Sequence, residues 1–373
     1  MKKLFRKTAS LTAAAAMLMS LTACGGTGTN TTRGTGTTAG SSTQSGTAAV
    51  SAEDRPDWVK PADEVTGKVT VYTTMTEDEQ QILRDMWETY YPDCTMEIQA
   101  DSIGTLVTRV RSDESCDADV LAGGMFAADG DIYEDILQPY TAACDDKQDY
   151  HDENGYITFY DVQLMCLVVN PELRDELGIE INGYEDLLQP ELEGKIIQAA
   201  PDASSSGYRQ LQTILATMGD EFDDEKGWDY ISQLIPASFS STSSKDVFNL
   251  VANGEYVVGL SYESAVAALV KSGAPVECVY MEEGNTAMAG GGAITKNAPN
   301  LPAAQAVMDI MSSAEFQSRR SDVCSGRGSN SEAELYGLPD AETLGVEGLD
   351  YDYLNEHRDE LINHWNEIVA DAN

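Results

Sequence analysis

Short β-rich runs alternate with helical patterns along the chain, and this alternation constrains the fold more than any other feature. Strands are predicted over residues 68–72, 95–99 and 119–122, and helices over residues 77–90 and 104–113. In the first helix the apolar side chains recur at helical spacing, at Ile82, Leu83, Met86, Trp87 and Tyr90. Strands that alternate with helices are typical of parallel βαβ units, so the sequence predicts an α/β fold.

The alternation continues towards the C-terminus. Further strands are predicted over residues 157–169, 194–197, 256–261 and 276–280, with another beginning at 290, and helices over 208–218, 263–271, 302–311 and about 353–370. The folded body, from about residue 53 to residue 373, exceeds the size at which one hydrophobic core usually divides into two. We therefore expect two lobes.

The N-terminal region has the pattern of an export signal followed by a tether. Residues 1–23 combine a basic start, a short apolar stretch and small residues, which predicts a signal peptide. Leu-Thr-Ala-Cys at residues 21–24 resembles a bacterial lipoprotein cleavage box, with Cys24 as the lipidated residue; an incidental cysteine is the alternative. Residues 24–52, rich in Gly, Thr, Ser and Ala, predict a flexible linker. We expect an extracytoplasmic protein anchored to the cell membrane through Cys24.

Composition excludes several classes of function. The chain has 63 acidic and 23 basic residues and a net charge of −40, which makes nucleic acid and anionic lipid very poor charge-driven partners. It has three histidines and no Cys-x-x-Cys pair, so the usual zinc motifs are absent. No nucleophile elbow, Walker loop or dinucleotide fingerprint occurs. We predict a non-catalytic protein with no cofactor and no metal site, and disulfide pairing stays open.

Several short motifs occur in a characteristic order. They are residues 71–74 (Val-Tyr-Thr-Thr), 118–121 (Ala-Asp-Val-Leu) before Gly123-Gly124, 205–208 (Ser-Ser-Gly-Tyr), 253–260 (Asn-Gly-Glu-Tyr-Val-Val-Gly-Leu), 281–284 (Met-Glu-Glu-Gly), and Gly290-Gly291 with 296–300 (Lys-Asn-Ala-Pro-Asn). Their order, behind a lipoprotein-like signal, resembles the extracellular solute-binding proteins of ABC importers. The branch it resembles contains ferric-iron, phosphonate and sugar-phosphate receptors.

The resemblance implies a two-lobed periplasmic-binding-protein fold of type II, with the ligand cleft between α/β lobes joined by crossing strands. Lobe one would comprise residues 66–157 and 288–330, and lobe two residues 158–287 and 335–373. Closure of the lobes would be a hinge motion that the ligand favours. The implied partners are a small solute and an ABC permease and ATPase complex, and we expect the protein to be a monomer.

Hydroxyl groups and glycines follow the predicted strands, where ligands of open α/β sheets bind. The candidate ligand contacts are Thr73, Thr74, Gly124, Met125, Tyr160, Ser205, Ser206, Gly207, Tyr262 and Glu263. Several lie at helix N-termini, whose free N–H groups attract oxyanions. Thr76 and Glu79 predict a capping box, which leaves Thr73 and Thr74 for a ligand, with ordinary turn hydrogen bonds as the alternative. For Tyr160, packing at the crossing is the alternative to ligand contact.

These residues favour a small anionic solute, either a phosphate-bearing sugar or polyol or an organophosphonate. The acidic turn at residues 77–79 argues against an anion. Arg209 is predicted to be a solvated side chain of a first helical turn, with an added positive charge at the anion site as the alternative. A ferric-iron receptor and a ligand-presenting sensor lipoprotein are the alternatives. The iron branch typically uses adjacent tyrosines after the strand that here ends at Leu260, but this chain has only Tyr262 there. The adjacent pair Tyr90-Tyr91 is expected to pack at a helix end.

Overall fold

The computed structural model describes residues 55–113 and 115–372. The predicted signal peptide, Cys24 and the predicted linker lie outside the described residues. Among the residues that are described, no helix is both long and apolar enough to cross a membrane.

The first part of the described chain forms one α/β layer. Its elements are β1 (Gly67–Thr73), α1 (Glu77–Tyr90), β2 (Cys94–Ala100), α2 (Ile103–Ser112), β3 (Val120–Phe126), a 3-10 segment (Ala127–Ile136) and β4 (Leu137–Gln138). β1 pairs in parallel with β2 and with β3. The βαβ prediction for this part of the chain is therefore confirmed.

The remainder of the described chain adds a second layer and then returns to the first. Its elements are β5 (Thr158–Val169), α3 (Pro171–Leu177), β6 (Ile196–Ala199), α4 (Ser205–Thr217), α5 (Glu225–Ala237), β7 (Ser238–Ser241), α6 (Ser244–Ala252), β8 (Val258–Tyr262), α7 (Glu263–Lys271), β9 (Glu277–Val279), β10 (Asn285–Thr295), α8 (Leu301–Ser312), α9 (Ala314–Cys324), β11 (Val346–Glu347), α10 (Tyr351–Glu356) and α11 (Arg358–Ala372). The helix predicted over residues 353–370 is therefore two helices, with His357 between them.

The strands form one sheet in the order β2-β1-β3-β10-β5-β8-β6-β7, with β4 and β11 on β10 and β9 on β5. The two long strands, β5 and β10, lie at its centre and pair antiparallel to each other. β10 also pairs with β3, and β5 also pairs with β8. The crossing strands that the resemblance implied are thus β5 and β10, each of which belongs to both halves of the sheet.

The hydrophobic core is divided at these crossing strands. On one side, α1, α8 and α9 pack on β1 and β3 around Trp87, Met311 and Phe316, each at most 1% exposed. On the other side, α4, α5 and α11 pack around Leu215, Ile231 and Trp365. Each apolar stripe faces its own part of the sheet, so the described chain forms two lobes, called here lobe one and lobe two.

Glycine makes the close approach of the crossing strands possible. The register between β10 and β5 shifts between Gly290 and Gly291, and the register between β10 and β3 shifts between Gly291 and Gly292. A methyl group added at Gly291 would lie 2.2 Å from the Thr158 carbonyl oxygen. Only a residue without a Cβ therefore fits at this point of the crossing.

Candidate functional site

The junction between β1 and α1 uses its three threonines in different ways. Thr73 is 1% exposed, and its hydroxyl donates to the Ala122 carbonyl at 2.7 Å and accepts from the Met75 N–H at 3.0 Å. Thr76 and Glu79 form the predicted capping box, which is confirmed. Thr74 is exposed and lines a cavity. Of the two candidate ligand contacts at this junction, the structure leaves Thr74 available to a solute.

A bulge in β3 lies beside Thr74. In the pairing with β10, Met125 lies opposite Gly291 and Ala122 opposite Gly292, so Gly123 and Gly124 are extra residues. Their φ angles are +82° and +75°, in the left-handed region that favours glycine. β3 was predicted to end before these glycines, but it continues through the bulge to Phe126. Met125, a candidate ligand contact, is 0% exposed and packs in the core of lobe one.

The bulge brings backbone close to two polar side chains. A methyl group added at Gly123 would lie 2.6 Å from Thr74 Oγ1 and 3.1 Å from the Tyr160 hydroxyl. The same addition at Gly124 would lie 2.9 Å from the Thr74 methyl carbon. Thr74, Gly124 and Tyr160 are distant in sequence but lie close together in the structure. One ligand could therefore contact all three of these candidate residues.

A buried arginine, Arg320 on α9, organises this wall of the cleft. Its Nε donates to Glu79 Oε1 at 2.9 Å, and its Nη2 donates to Asp161 Oδ1 at 2.8 Å. Its Nη1 donates to the Tyr160 carbonyl at 3.1 Å, and the guanidinium carbon lies 5.2 Å from the centre of the Tyr160 ring. The Arg320 side chain is 5% exposed. One cation therefore joins α1, β5 and α9.

The two carboxylates on Arg320 differ in their proton affinity. Burial disfavours charge at both, but Arg320 and hydrogen bonds from Thr76 hold the pKa of Glu79 below its ordinary value. At Asp161, burial outweighs Arg320 and raises the pKa above its ordinary value. Although burial opposes its charge, the nearby carboxylates raise the pKa of Arg320, so the guanidinium stays charged.

Two cavities meet at this network, because Glu79, Asp161 and Arg320 line both. The smaller, of about 150 Å³, is called here the glycine chamber and is lined by Thr74, Gly123, Gly124, Tyr160, Gly290 and Gly291. The larger, of about 450 Å³, is called the aromatic chamber and is lined by Thr76, Phe248, Tyr262, Ser264, Leu269 and Cys324. Lobe one and lobe two both contribute to the aromatic chamber, so the two chambers form the cleft between the lobes.

A cavity of about 870 Å³ lies elsewhere, lined by Tyr150, Val162 and Val346 among others. Val162 follows Asp161 on β5, and successive side chains of a strand point to opposite faces. This cavity is therefore on the face of the crossing strand that points away from the cleft.

The junction between β6 and α4 forms part of lobe two. Ser204 is the N-cap and accepts from the Gly207 N–H at 3.3 Å, while Ser206 Oγ lies 3.1 Å from Ser204 Oγ. Gly207 is buried, and a methyl group added there would lie 2.4 Å from the Ala199 carbonyl oxygen, so only glycine fits at this position. Ser205 is exposed in the first turn.

Arg209 extends from this helix across the cleft. It is 8% exposed, hydrogen-bonds to Gln163, and places its guanidinium carbon 4.0 Å from the centre of the Phe126 ring in lobe one. The prediction that Arg209 is a solvated side chain is therefore wrong. The ring of Phe126 supplies a cation–π contact that a first-turn position in the sequence does not reveal.

Tyr262 and Glu263 diverge after β8. Tyr262 lines the aromatic chamber, and its ring meets Phe248 edge to face with a centroid distance of 6.2 Å. Glu263 is 1% exposed, and its carboxylate accepts hydrogen bonds from Arg327 Nε at 2.9 Å and Arg327 Nη2 at 2.7 Å. It also accepts from the Tyr280 hydroxyl at 2.7 Å. Glu263 is thus held inside the protein, and we assign it a structural role.

Sequence reasoning missed Arg320 and Asp161 as site residues. Asp161 was adjacent to a candidate, but α9 was not predicted at all, and Arg320 was therefore overlooked. The signal that was available is compositional, because an Arg-Arg pair at residues 319–320 is unusual in a chain with 23 basic and 63 acidic residues.

A continuous sheet shared by two α/β lobes, with a cleft at its crossing strands, defines the two-lobed periplasmic-binding-protein fold, type II. The model of one family, described as bacterial extracellular solute-binding protein, matches residues 122–357, and the chain belongs to that family. The predicted fold class and family are confirmed. The description is that of a binding protein located outside the cell, in agreement with a non-catalytic role.

Known proteins with related sequence or structure differ in what they bind. An uncharacterized protein of Haemophilus influenzae is 27% identical over 210 residues, which are 54% of this chain and 60% of the relative. The periplasmic binding protein AfuA from Actinobacillus pleuropneumoniae, solved with fructose-6-phosphate bound, is 24% identical with a TM-score of 0.64, over 82% of this chain and 99% of that one. Iron-bound HitA from Pseudomonas aeruginosa is 16% identical with a TM-score of 0.66, over 81% and 99%. These two structures support the fold alone.

Proposed function

We propose that this protein is the solute-binding component of an ABC importer and captures a small organic anion, such as a phosphate-bearing sugar or polyol or an organophosphonate. It would deliver this solute to a permease and ATPase complex. The observation that carries the proposal is the glycine chamber, which is lined by Thr74, by the bulged backbone at Gly123 and Gly124, and by Arg320. Its lobes are proposed to be residues 66–157 with 288–330 and residues 158–287 with 335–373.

The charges around the chamber favour an anion more than the sequence suggested. The acidic turn of α1 was expected to repel an anion, but Glu79 is paired with Arg320 at 2.9 Å. Asp161 is paired with the same guanidinium, and Arg209 approaches from lobe two. The formal charges of these four side chains cancel, in a chain whose net charge is −40. A neutral wall with hydroxyl and guanidinium donors suits an oxyanion.

An organic anion ranks ahead of ferric iron because the adjacent tyrosines lie away from the cleft. Tyr90 donates to Glu315 at 2.6 Å, and Tyr91 is 1% exposed with its ring 4.8 Å from that of Trp87. Both pack in the core of lobe one, as the sequence predicts. AfuA, solved with a sugar phosphate, offers a precedent for the proposed solute class on this fold.

The proposal is tested by a ligand screen on the folded body, residues 53–373. Phosphate esters, phosphonates, carboxylates and ferric ion are compared by thermal shift, and the hits are measured by calorimetry. A phosphate or phosphonate ester should raise the melting temperature, because a ligand that binds only the folded state stabilises it. Stabilisation by ferric ion alone, with a tyrosinate-to-iron absorption band, would reverse the ranking.

Transport and membrane attachment need a test in cells. Deletion of the protein should abolish uptake of the labelled ligand, whereas a sensor would alter transcription and leave uptake intact. Lipidation of Cys24 would hold the protein at the membrane, so Cys24→Ala should release it into the medium. Retention of this variant at the membrane would contradict the anchor.

A further inference from the structure

We infer that the solute carries an aromatic ring next to its anionic group, with the anion in the glycine chamber and the ring in the aromatic chamber. This inference rests on the proposed function: it keeps the anionic group proposed there and replaces the attached sugar or polyol with an aromatic ring. It is carried by the contrast between two adjoining cavities that share Glu79, Asp161 and Arg320: one adds glycine backbone and the Thr74 hydroxyl, and the other adds the aromatic rings of Phe248 and Tyr262.

The walls of the aromatic chamber fit a ring better than a polyol. Phe248 and Tyr262, both half-buried, form an edge-to-face pair with an interplanar angle of 84°. Leu269 and Cys324 add apolar surface. Burial raises the pKa of Cys324 to about 11, so its thiol is uncharged at neutral pH. An aromatic ligand would extend this edge-to-face arrangement, whereas a polyol could pair only with the polar residues that also line the chamber, such as Thr76 and Ser264, and would leave other hydroxyl groups facing Phe248 and Leu269.

The volumes agree with a two-part solute. The aromatic chamber holds about 450 Å³, and a protein cavity of about 150 Å³ is known to hold benzene. The glycine chamber, of about 150 Å³, suits a compact group such as phosphate. Arg320 lines both chambers, so the bond between anion and ring would pass beside its guanidinium.

A ring in this position would also contact both lobes. Phe248 and Tyr262 belong to lobe two, whereas Thr76 and Cys324 belong to lobe one. Filling the space between them buries apolar surface only when the lobes are close, so the ring would contribute to closure as well as to recognition.

Two phosphate monoesters that differ in the attached group test the inference. The dissociation constants of phenyl phosphate and glycerol phosphate are measured by calorimetry on the wild-type protein. Phenyl phosphate should bind about tenfold more tightly, since ring contacts add to burial of apolar surface. Phe248→Ala should remove most of this preference, because it should lower the affinity for phenyl phosphate far more than the affinity for glycerol phosphate. Phe248→Leu, which keeps apolar volume but lacks the ring, should retain part of it.

The outcomes separate this inference from the proposed function. Glycerol phosphate that binds as tightly as phenyl phosphate, or more tightly, overturns the aromatic solute and leaves anion capture intact. A preference that survives in Phe248→Ala, with an unchanged melting temperature for the free variant, overturns the assigned location. Failure of both esters and of a panel of aryl and alkyl phosphonates and carboxylates to bind contradicts anion capture, and the inference with it.

Discussion

Two buried arginines, Arg320 and Arg327, lie close together in sequence but differ in the partners and surroundings of their guanidinium groups. The Arg327 side chain is 3% exposed, and its guanidinium faces a single carboxylate, Glu263, which is 2% exposed. It also donates to the Pro339 carbonyl at 2.7 Å, and Arg327 lines the cavity of about 870 Å³ that lies away from the cleft. The Arg320 side chain is 5% exposed, but its guanidinium is divided between Glu79 and Asp161, and it borders two cavities. Asp161 is 26% exposed at its side chain. One arginine belongs to a closed pair and the other to a network open to the cleft.

The difference shows which kind of buried charge indicates a ligand site. A carboxylate and a guanidinium that satisfy each other leave nothing for a solute, and they hold elements together instead. Arg327 serves this purpose, because its carbonyl accepts from the Val162 N–H at 3.0 Å while its side chain holds the start of α7. The Arg320 guanidinium makes one contact from each of its nitrogens and has further N–H donors, so it can hold both carboxylates and still donate to an anion. Burial alone does not distinguish the arginine at the ligand site from the structural one, because both side chains are at most 5% exposed.

The largest expected effect is on stability, at the closed pair. Arg327→Met should lower the free energy of unfolding by about 3–5 kcal/mol, because it leaves Glu263 as an uncompensated buried charge. The affinity of the folded variant for its solute should be unchanged. Denaturant midpoints and calorimetry measure both. Glu263→Gln added to Arg327→Met should recover part of the loss, and a double variant no more stable than the single one would contradict the closed pair.

A substitution in the network around Arg320 should show the reverse pattern, with a large effect on ligand affinity and a smaller effect on stability. Arg320→Lys should weaken binding of the solute more than tenfold, since lysine cannot reproduce the fork of donors that reaches Glu79, Asp161 and an oxyanion together. Its loss of unfolding free energy should be smaller, about 1–2 kcal/mol, because a cation still faces the carboxylates. An affinity loss at Arg327→Met equal to that at Arg320→Lys would erase the distinction between the two arginines.

The two carboxylates of the network should respond oppositely to pH. The lowered pKa of Glu79 means that its ionisation stabilises the fold above the ordinary carboxyl pKa, and that this contribution is lost as pH falls through its folded value. Glu79→Gln, which keeps the capping box, should therefore cost about 1 kcal/mol at neutral pH and little in acid. Denaturant unfolding of both proteins across the acidic range measures this difference.

Asp161→Asn is the matched comparison. The raised pKa of Asp161 means that the wild-type protein loses stability as pH rises from the ordinary value to the folded value. The stability of Asp161→Asn relative to wild type should therefore increase with pH, opposite in sign to that of Glu79→Gln. Parallel pH profiles for the two variants would contradict the assignment.

The smallest effects should separate neighbouring threonines. Thr74→Val should weaken binding about fivefold, the loss of one hydrogen bond, with no change in the melting temperature. Thr73→Val, the control, should lower the melting temperature because the hydroxyl bonds to Ala122 and Met75 are lost. Ser206→Ala should weaken binding less than Thr74→Val. Unchanged affinity in Thr74→Val would contradict the glycine chamber as the site of the anion, and unchanged affinity in Ser206→Ala would contradict a ligand contact at the junction of β6 and α4.

The sequence predicted local structure well where local signals are strong. The predicted bounds of α1 and α7 agree with the structure, because a capping residue and an apolar stripe mark α1 and a strand end precedes α7. The start of β10 was placed too late, at Gly290 instead of Asn285, because only Thr286 among its first five residues is β-branched. α9 was missed because its residues are mostly polar although it is partly buried.

The site was only partly predictable for a related reason. Thr74, Gly124 and Tyr160 were recognised from their positions after strands or on the crossing, which is a local property. Arg320 obtains its partners from α1 and β5, 241 and 159 residues away in sequence. No pattern within one segment reports such contacts, so the network emerges only from the folded chain.

The Phe126 ring has a consequence for the width of the cleft. A methyl group added at Gly290 would lie 3.0 Å from the Cε1 atom of the Phe126 ring. From the opposite lobe, the guanidinium carbon of Arg209 lies 4.0 Å from the centre of the same ring. The ring acts as a spacer between the crossing strand and the opposite lobe. Lengthening a surface loop would leave that spacing unchanged, whereas a single change of side chain at residue 126 or 290 would alter the size of solute that the closed protein can hold.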